Sequence, residues 1–250
     1  MQRTVLLLGS AFSAVLLAFG VTFLSSETRE VGAKPKPNII LVLTDDQFPG
    51  TESKMPALKR NVTDKGVKFT NMTSTFPLCC PGRATLHRGQ YAHNTKIYGN
   101  SRPAGGWEKF EARGLHRSTV GKWLDNSGYQ TGLFGKVMNN YRERTVPGYY
   151  DRWYAWNGPT MGWTSVNDQG EQRPLDIQRA DTLVADEALG FLSNRLNRNA
   201  PVFAFVNFGA MHEPYAHAPI DADKFRGERC LAPEPSTRTM WVTSRSRYAD

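Results

Sequence analysis

The chain has 250 residues, 40% of them apolar and 22% charged, a balance that excludes a disordered polymer and leaves room for one α/β domain or most of a larger one. Its 31 basic and 23 acidic residues give a formal charge of +8. They are scattered, not gathered into basic runs, which argues against a nucleic-acid partner and suits either plain solubility or attraction of a polyanionic substrate.

In chain order, the first signal is Gln2-Arg3-Thr4 followed by a nearly unbroken apolar stretch over residues 5–24. This pattern is an export signal. About 20 apolar residues also suffice to span a bilayer, so residues 1–24 are expected to be a signal peptide or a membrane anchor, and the product secreted or otherwise extracytoplasmic. No cysteine precedes Cys79, which excludes lipoprotein attachment. Residues 25–36 are polar and read as a linker. Export favours disulfides, yet the cysteines are Cys79, Cys80 and Cys230, odd in number with two adjacent. That is not a disulfide framework.

Residues 38–43 are a short β-branched apolar run, predicted to be a buried parallel strand with Asp45 and Asp46 at its C-terminal end. Residues 55–65 have helical spacing. Residues 66–75 alternate and predict a strand leading to Cys79, after which Pro81 suits an early helical position. Residues 119–126 predict a helix, and residues 128–136 a strand closing in a glycine-containing turn. Residues 141–174, rich in Trp, Tyr and Gly without a period, predict a long surface excursion bordering a binding site. Residues 177–196 predict an amphipathic helix with an apolar face of Leu183, Val184, Ala188, Leu189, Leu192 and Leu196. Residues 201–208 are a second buried strand. Strands alternating with helices imply a mostly parallel sheet covered on both faces. Ligands then collect at the C-terminal strand ends, and each polar motif is expected to follow one.

Four groups carry chemistry. Asp45 and Asp46 repel one another unless a cation lies between them, and hard cations such as Ca2+ and Mg2+ take carboxylate oxygens; an Asp pair capping a turn is the alternative. Cys79-Cys80-Pro81-Gly82-Arg83 has the spacing C-x-P-x-R. Gly128 to Lys136 reads "GYQTGLFGK". His212, two residues before Pro214, follows the apolar run that ends in Asn207. His217 reads as a surface residue.

In this order the four motifs resemble those of formylglycine-dependent sulfatases. The double cysteine, Tyr91, His93 and Asn94, and the run Gly135, Lys136, Asn139 and Tyr141 resemble the N-acetylglucosamine-6-sulfatase branch. The resemblance implies an alkaline-phosphatase-like α/β sandwich with a mostly parallel central sheet, incomplete at its C-terminal end, with residues 37–229 as a partial catalytic domain. It implies that a maturation enzyme converts Cys79 to Cα-formylglycine, the nucleophile. The hydrated aldehyde offers one hydroxyl to attack sulfur and a second to expel sulfate. Asp45, Asp46 and Cys79 would hold Ca2+ or Mg2+, and Arg83 and Lys136 would hold the formylglycine and the sulfuryl oxygens. His212 would contact the sulfate or protonate the leaving alcohol, and His93 the sugar. The substrates implied are sulfated, glycosaminoglycan-like sugars. Two other readings stay open: an inactive homologue that binds anionic glycans, and a phosphonate or phosphate monoesterase of the same superfamily.

The chain departs from the pattern at several places. Gly82 stands where a small hydroxyl residue is usual. His87-Arg88-Gly89 replaces "LTG", and an added cation there is expected to alter substrate access. Met138 occupies a position where many arylsulfatases carry His. The family's second pair of metal ligands and a further lysine belong to a C-terminal half beyond this sequence. Residues 230–250, rich in Thr, Ser and Arg without apolar periodicity, read as irregular and out of frame. Asn61 and Asn71 lie in N-x-T sequons.

Overall fold

The computed structural model describes residues 35–142, 144–156, 165–196, 198–215, 217–224, 226 and 227. The proposed signal or anchor, most of the linker, Cys230 and the C-terminal tail lie outside the described residues. No helix among the described residues is long and apolar enough to cross a membrane.

Strands β1 (Ile39–Leu43), β2 (Gln130–Lys136), β3 (Arg152–Trp156), β4 (Ser165–Asp168), β5 (Glu171–Pro174) and β6 (Val202–Asn207) form one sheet in the order β1-β6-β2-β3-β4-β5. The pairs β1–β6, β6–β2 and β2–β3 are parallel, and β3–β4 and β4–β5 antiparallel. The expected mostly parallel α/β sheet is therefore present. Register aligns the strand ends that matter: Leu43 and Gly135 both lie opposite Asn207. Gly135 permits this closeness. Its φ is +90°, and a Cβ there would lie 1.8 Å from the Asn207 carbonyl oxygen, so only glycine is tolerated.

Residues facing opposite sides of each strand build two cores. On one side Leu133, Trp153, Phe203 and Phe205 pack with Cys80 and Ala84 of α2 (Cys79–Arg88) and Phe110 of α4 (Gly106–Ala112), with Val120 and Leu124 of α5 (Val120–Asn126) at the margin. On the other side Phe134, Val202, Ala204 and Val206 pack against Val184, Ala188 and Phe191 of α6 (Ala180–Arg195). Short helices α1 (Pro56–Leu58) and α3 (Ala92–Thr95) complete the set, α1 running into a π-helical turn at Lys59–Thr63. The Thr119 side chain caps α5 by accepting from the Lys122 amide.

Several expectations are corrected. β1 is not fully buried: among the described residues it is an edge strand of the sheet, and Ile40 and Val42 are 48% and 55% exposed. Residues 66–75 form no strand and are exposed throughout; their alternation has no partner strand among the described residues. The Trp- and Tyr-rich segment is a surface excursion only in part: Arg142, Arg144, Thr145 and Gly148 are exposed, as is most of β5. Trp153, Tyr154, Ala155 and Trp156 are buried in β3; a strand covered on both faces shows no period-two pattern. On α6 the buried face is Ala180, Val184, Ala188 and Phe191, so Leu189 and Leu196 point to solvent. Cys79 follows no strand and instead opens α2.

Candidate active site

Consecutive helical residues point about 100° apart, and this separates the two cysteines at the start of α2. Cys80 is completely buried in the core; its amide donates to Asn100 Oδ1 at 3.0 Å and its thiol to Asn139 Oδ1 at 3.4 Å. Burial pushes its thiol up to about 12, so it stays a neutral core group. Cys79 is half-buried and directs its thiol at Asp45 Oδ1, 3.9 Å away. Burial raises the Cys79 thiol above its ordinary range, with the Lys136 ammonium opposing.

Arg83 lies one turn further along the same face. Its Nη1 donates to the Lys136 carbonyl at 2.7 Å and to Asn207 Oδ1 at 3.2 Å, while Nη2 is 3.5 Å from Asp45 Oδ1. Lys136, the last residue of β2, pairs its ammonium with Asp45 Oδ2 and is 1% exposed. One buried carboxylate thus faces two buried cations. Its two oxygens are divided: Oδ2 serves Lys136, and Oδ1 faces Arg83 and Cys79.

The chain leaving β6 is stitched to the end of β1. The Asp45 amide donates to the Ala210 carbonyl at 2.9 Å, and the Met211 amide to the Asp45 carbonyl at 2.6 Å. Asp181, in the first turn of α6, accepts from the amides of Gly209 and Ala210 at 2.6 and 2.8 Å. Burial raises the Asp181 carboxyl above its usual range, against the pull of those two amides. This loop delivers His212. Its Nδ1 donates to the Glu213 carbonyl at 2.6 Å, which leaves Nε2 facing Asp46 Oδ2 at 3.8 Å. Ligand atoms of Asp45, Cys79 and His212 all lie within 4.8 Å of one another.

The structure therefore brings together Asp45, Cys79, Arg83, Lys136 and His212. Asp46 adjoins this group through His212 and by its charge near Cys79, with φ of 55° and a side chain 63% exposed. His93 lies outside it, on α3, stacked on Tyr91 at 5.6 Å. Both border an open depression of about 370 Å³ with Thr75, Phe76 and Tyr98. His217 is exposed, as expected of a surface residue. The expected extra cation at residues 87–89 is not free. His87 is buried between Phe110 and Phe205, at 6.1 and 5.3 Å, and burial, aided by Arg83, pushes its imidazole down to about 4. Arg88 is bound to the Ser118 carbonyl and to Gln90. Met138 is fully buried in the core.

Sequence reasoning missed Asn207, Asp181 and Asn100 as positioning groups. A polar residue ending a wholly apolar strand, and an acid in the first turn of a helix, were the available signs for the first two.

The sulfatase family model matches residues 37–246. This chain belongs to the sulfatase family. It is 34% identical over 196 residues to an extracellular sulfatase SULF-1 homologue of Drosophila melanogaster, covering 74% of this chain and 17% of that one. It is 28% identical over 203 residues to the N-acetylglucosamine-6-sulfatase of Homo sapiens, covering 74% and 36%. This member of the family thus spans little more than a third, at most, of these two relatives. A protein solved with its substrate D-glucosamine-2-N,6-O-disulfate superposes with a TM-score of 0.63 at 24% identity, over 79% of this chain and 39% of that one. The PsFucS1 sulfatase from Pseudoalteromonas gives 0.58 at 20% identity, over 76% and 47%. The fold is the α/β sandwich of the sulfatases, shared over part of each neighbour's length.

Proposed function

We propose that this protein hydrolyses sulfate esters of sulfated sugars of the glycosaminoglycan kind, with Cys79 converted by a maturation enzyme to formylglycine. The observation that carries the reading is the convergence of Cys79, Arg83 and Lys136 on one buried carboxylate, that of Asp45. Membership of the family and the substrate named for a structural neighbour support it. The names of the extracellular relatives support secretion.

The residues divide the work as follows. Arg83, clamped by the Lys136 carbonyl and Asn207, would orient the group at position 79. Lys136 would place positive charge where the sulfuryl oxygens gain negative charge, in surroundings that exclude water and strengthen the interaction. His212, on the more exposed rim, would contact the sulfate or pass a proton to the leaving alcohol. Asp45, Asp46 and the oxygens at position 79 suit a hard cation. Ca2+ or Mg2+ bound there would polarise the sulfate and favour ionisation of the nucleophilic hydroxyl. His93, beside the aromatic depression, would meet the sugar.

The test is peptide mass spectrometry on the tryptic fragment spanning residues 69–83, combined with sulfate release from a 6-sulfated glucosamine. Aldehyde at Cys79 with sulfate release is the expected result. An intact thiol from a host that matures other sulfatases, or faster release of phosphate than of sulfate from matched aryl esters, would overturn the reading.

A further inference from the structure

Cys79 is a free thiol in this structure, and its neighbours give that state a chemistry of its own. Thiolate sulfur and imidazole nitrogen are the ligands that select zinc over Ca2+ and Mg2+, and zinc also accepts a carboxylate oxygen beside them. In a tetrahedral zinc site, bond lengths of about 2.3 Å to sulfur and 2.1 Å to oxygen place those two atoms about 3.6 Å apart. Cys79 Sγ and Asp45 Oδ1 are 3.9 Å apart, so that edge needs to contract by only a few tenths of an ångström. His212 completes a set whose ligand atoms span no more than 4.8 Å.

Two details favour this. His212 Nδ1 is engaged with the Glu213 carbonyl, which leaves Nε2 as the nitrogen available to a metal, the arrangement a zinc-bound histidine uses. Asp45 gives Oδ2 to Lys136 and turns Oδ1 toward Cys79, with Arg83 Nη2 3.5 Å from that same oxygen, so a metal on Oδ1 need not displace the lysine and shares the oxygen with Arg83. His212 sits on a connecting loop, partly exposed, where it can close the remaining gap. Asp46 Oδ2, 3.8 Å from His212 Nε2, or a water takes the fourth position.

We propose that Asp45, Cys79 and His212 form a zinc-class site in the unconverted protein. On zinc binding the Cys79 S–H bond breaks, sulfur keeps the electron pair as a thiolate bound to the metal, and the proton leaves to solvent. The inference does not depend on turnover, because the assay reads metal in the thiol form.

The experiment uses the whole chain from a host without the maturation enzyme, in a Cys230→Ser background. Co2+ serves as the spectroscopic probe and Zn2+ as competitor. One Co2+ per chain is expected, with a thiolate-to-cobalt charge-transfer band that Zn2+ abolishes. Cys79→Ser loses the band and Cys80→Ser keeps it. His212→Ala weakens Zn2+ binding by roughly a hundredfold or more, exceeding the cost of losing an outer partner. Circular dichroism monitors folding of each variant. A band that survives Cys79→Ser, unchanged Zn2+ affinity in folded His212→Ala, or no binding by the parent protein would each overturn the proposal. Failure of sulfate release after conversion would overturn only the proposed function.

Discussion

Asp45→Asn is the most informative substitution, because it changes charge while keeping shape. Asp45, Arg83 and Lys136 are 4%, 3% and 1% exposed, and Asp45 is the carboxylate paired with both cations. At the 3.5 Å separation of Arg83 and Asp45, Coulomb attraction at an effective dielectric constant of 20 is about 5 kcal/mol. Truncating one partner of a buried pair costs roughly 3–5 kcal/mol, since the other charge stays buried and uncompensated. With two cations stranded, a loss of about 4 kcal/mol is expected, a large share of the roughly 5–15 kcal/mol available to a domain. Urea unfolding in chelator measures this without a contribution from bound metal. Lys136→Met alone should cost about 1–2 kcal/mol, because Asp45 keeps Arg83. In the double variant the stranded ammonium is gone, and more than half of the Asp45→Asn loss should return. A loss under about 1 kcal/mol in Asp45→Asn, or a double variant no more stable than Asp45→Asn, would refute the account of this buried cluster.

Other consequences follow from single groups. The folded-state value of His87 is lowered to about 4 from 6.5, so the unfolded chain binds the proton first as pH falls. Its contribution is fully present above about pH 6.5 and is lost by about pH 4, at up to about 1.4 kcal/mol per pH unit; urea midpoints of the parent protein should drop more steeply across this range than those of His87→Phe. Alkylation of the native protein should modify Cys79 slowly and leave Cys80 untouched until denaturant is added, read by peptide mass spectrometry; early labelling of Cys80 would contradict its complete burial. Asp181→Ala removes two amide hydrogen bonds along with one costly buried carboxylate, for a net loss of about 2 kcal/mol. Hydrogen exchange at Gly209 and Ala210 should accelerate with it, and unchanged protection there would show that Asp181 does not anchor the loop carrying His212.

What the sequence determined by itself was local. Short apolar runs marked β1, β2 and β6, and residue types at fixed spacing marked Asp45, Cys79, Arg83, Lys136 and His212, because each of these is written within a dozen neighbouring positions. The tertiary structure decided how they meet. Lys136 and Asp45 are 91 positions apart and touch only because β6 lies between β1 and β2 with Leu43, Asn207 and Gly135 in line. The edge position of β1, the burial of β3 and the solvent-facing Leu189 depend on which elements cover them, which periodicity does not encode. The roles of Asn207 and Asp181 depend on partners distant in the chain, and His87 is neutral because of where it is buried. Residue type sets what a group can do; its dielectric surroundings and non-local neighbours set whether it carries charge, and against what.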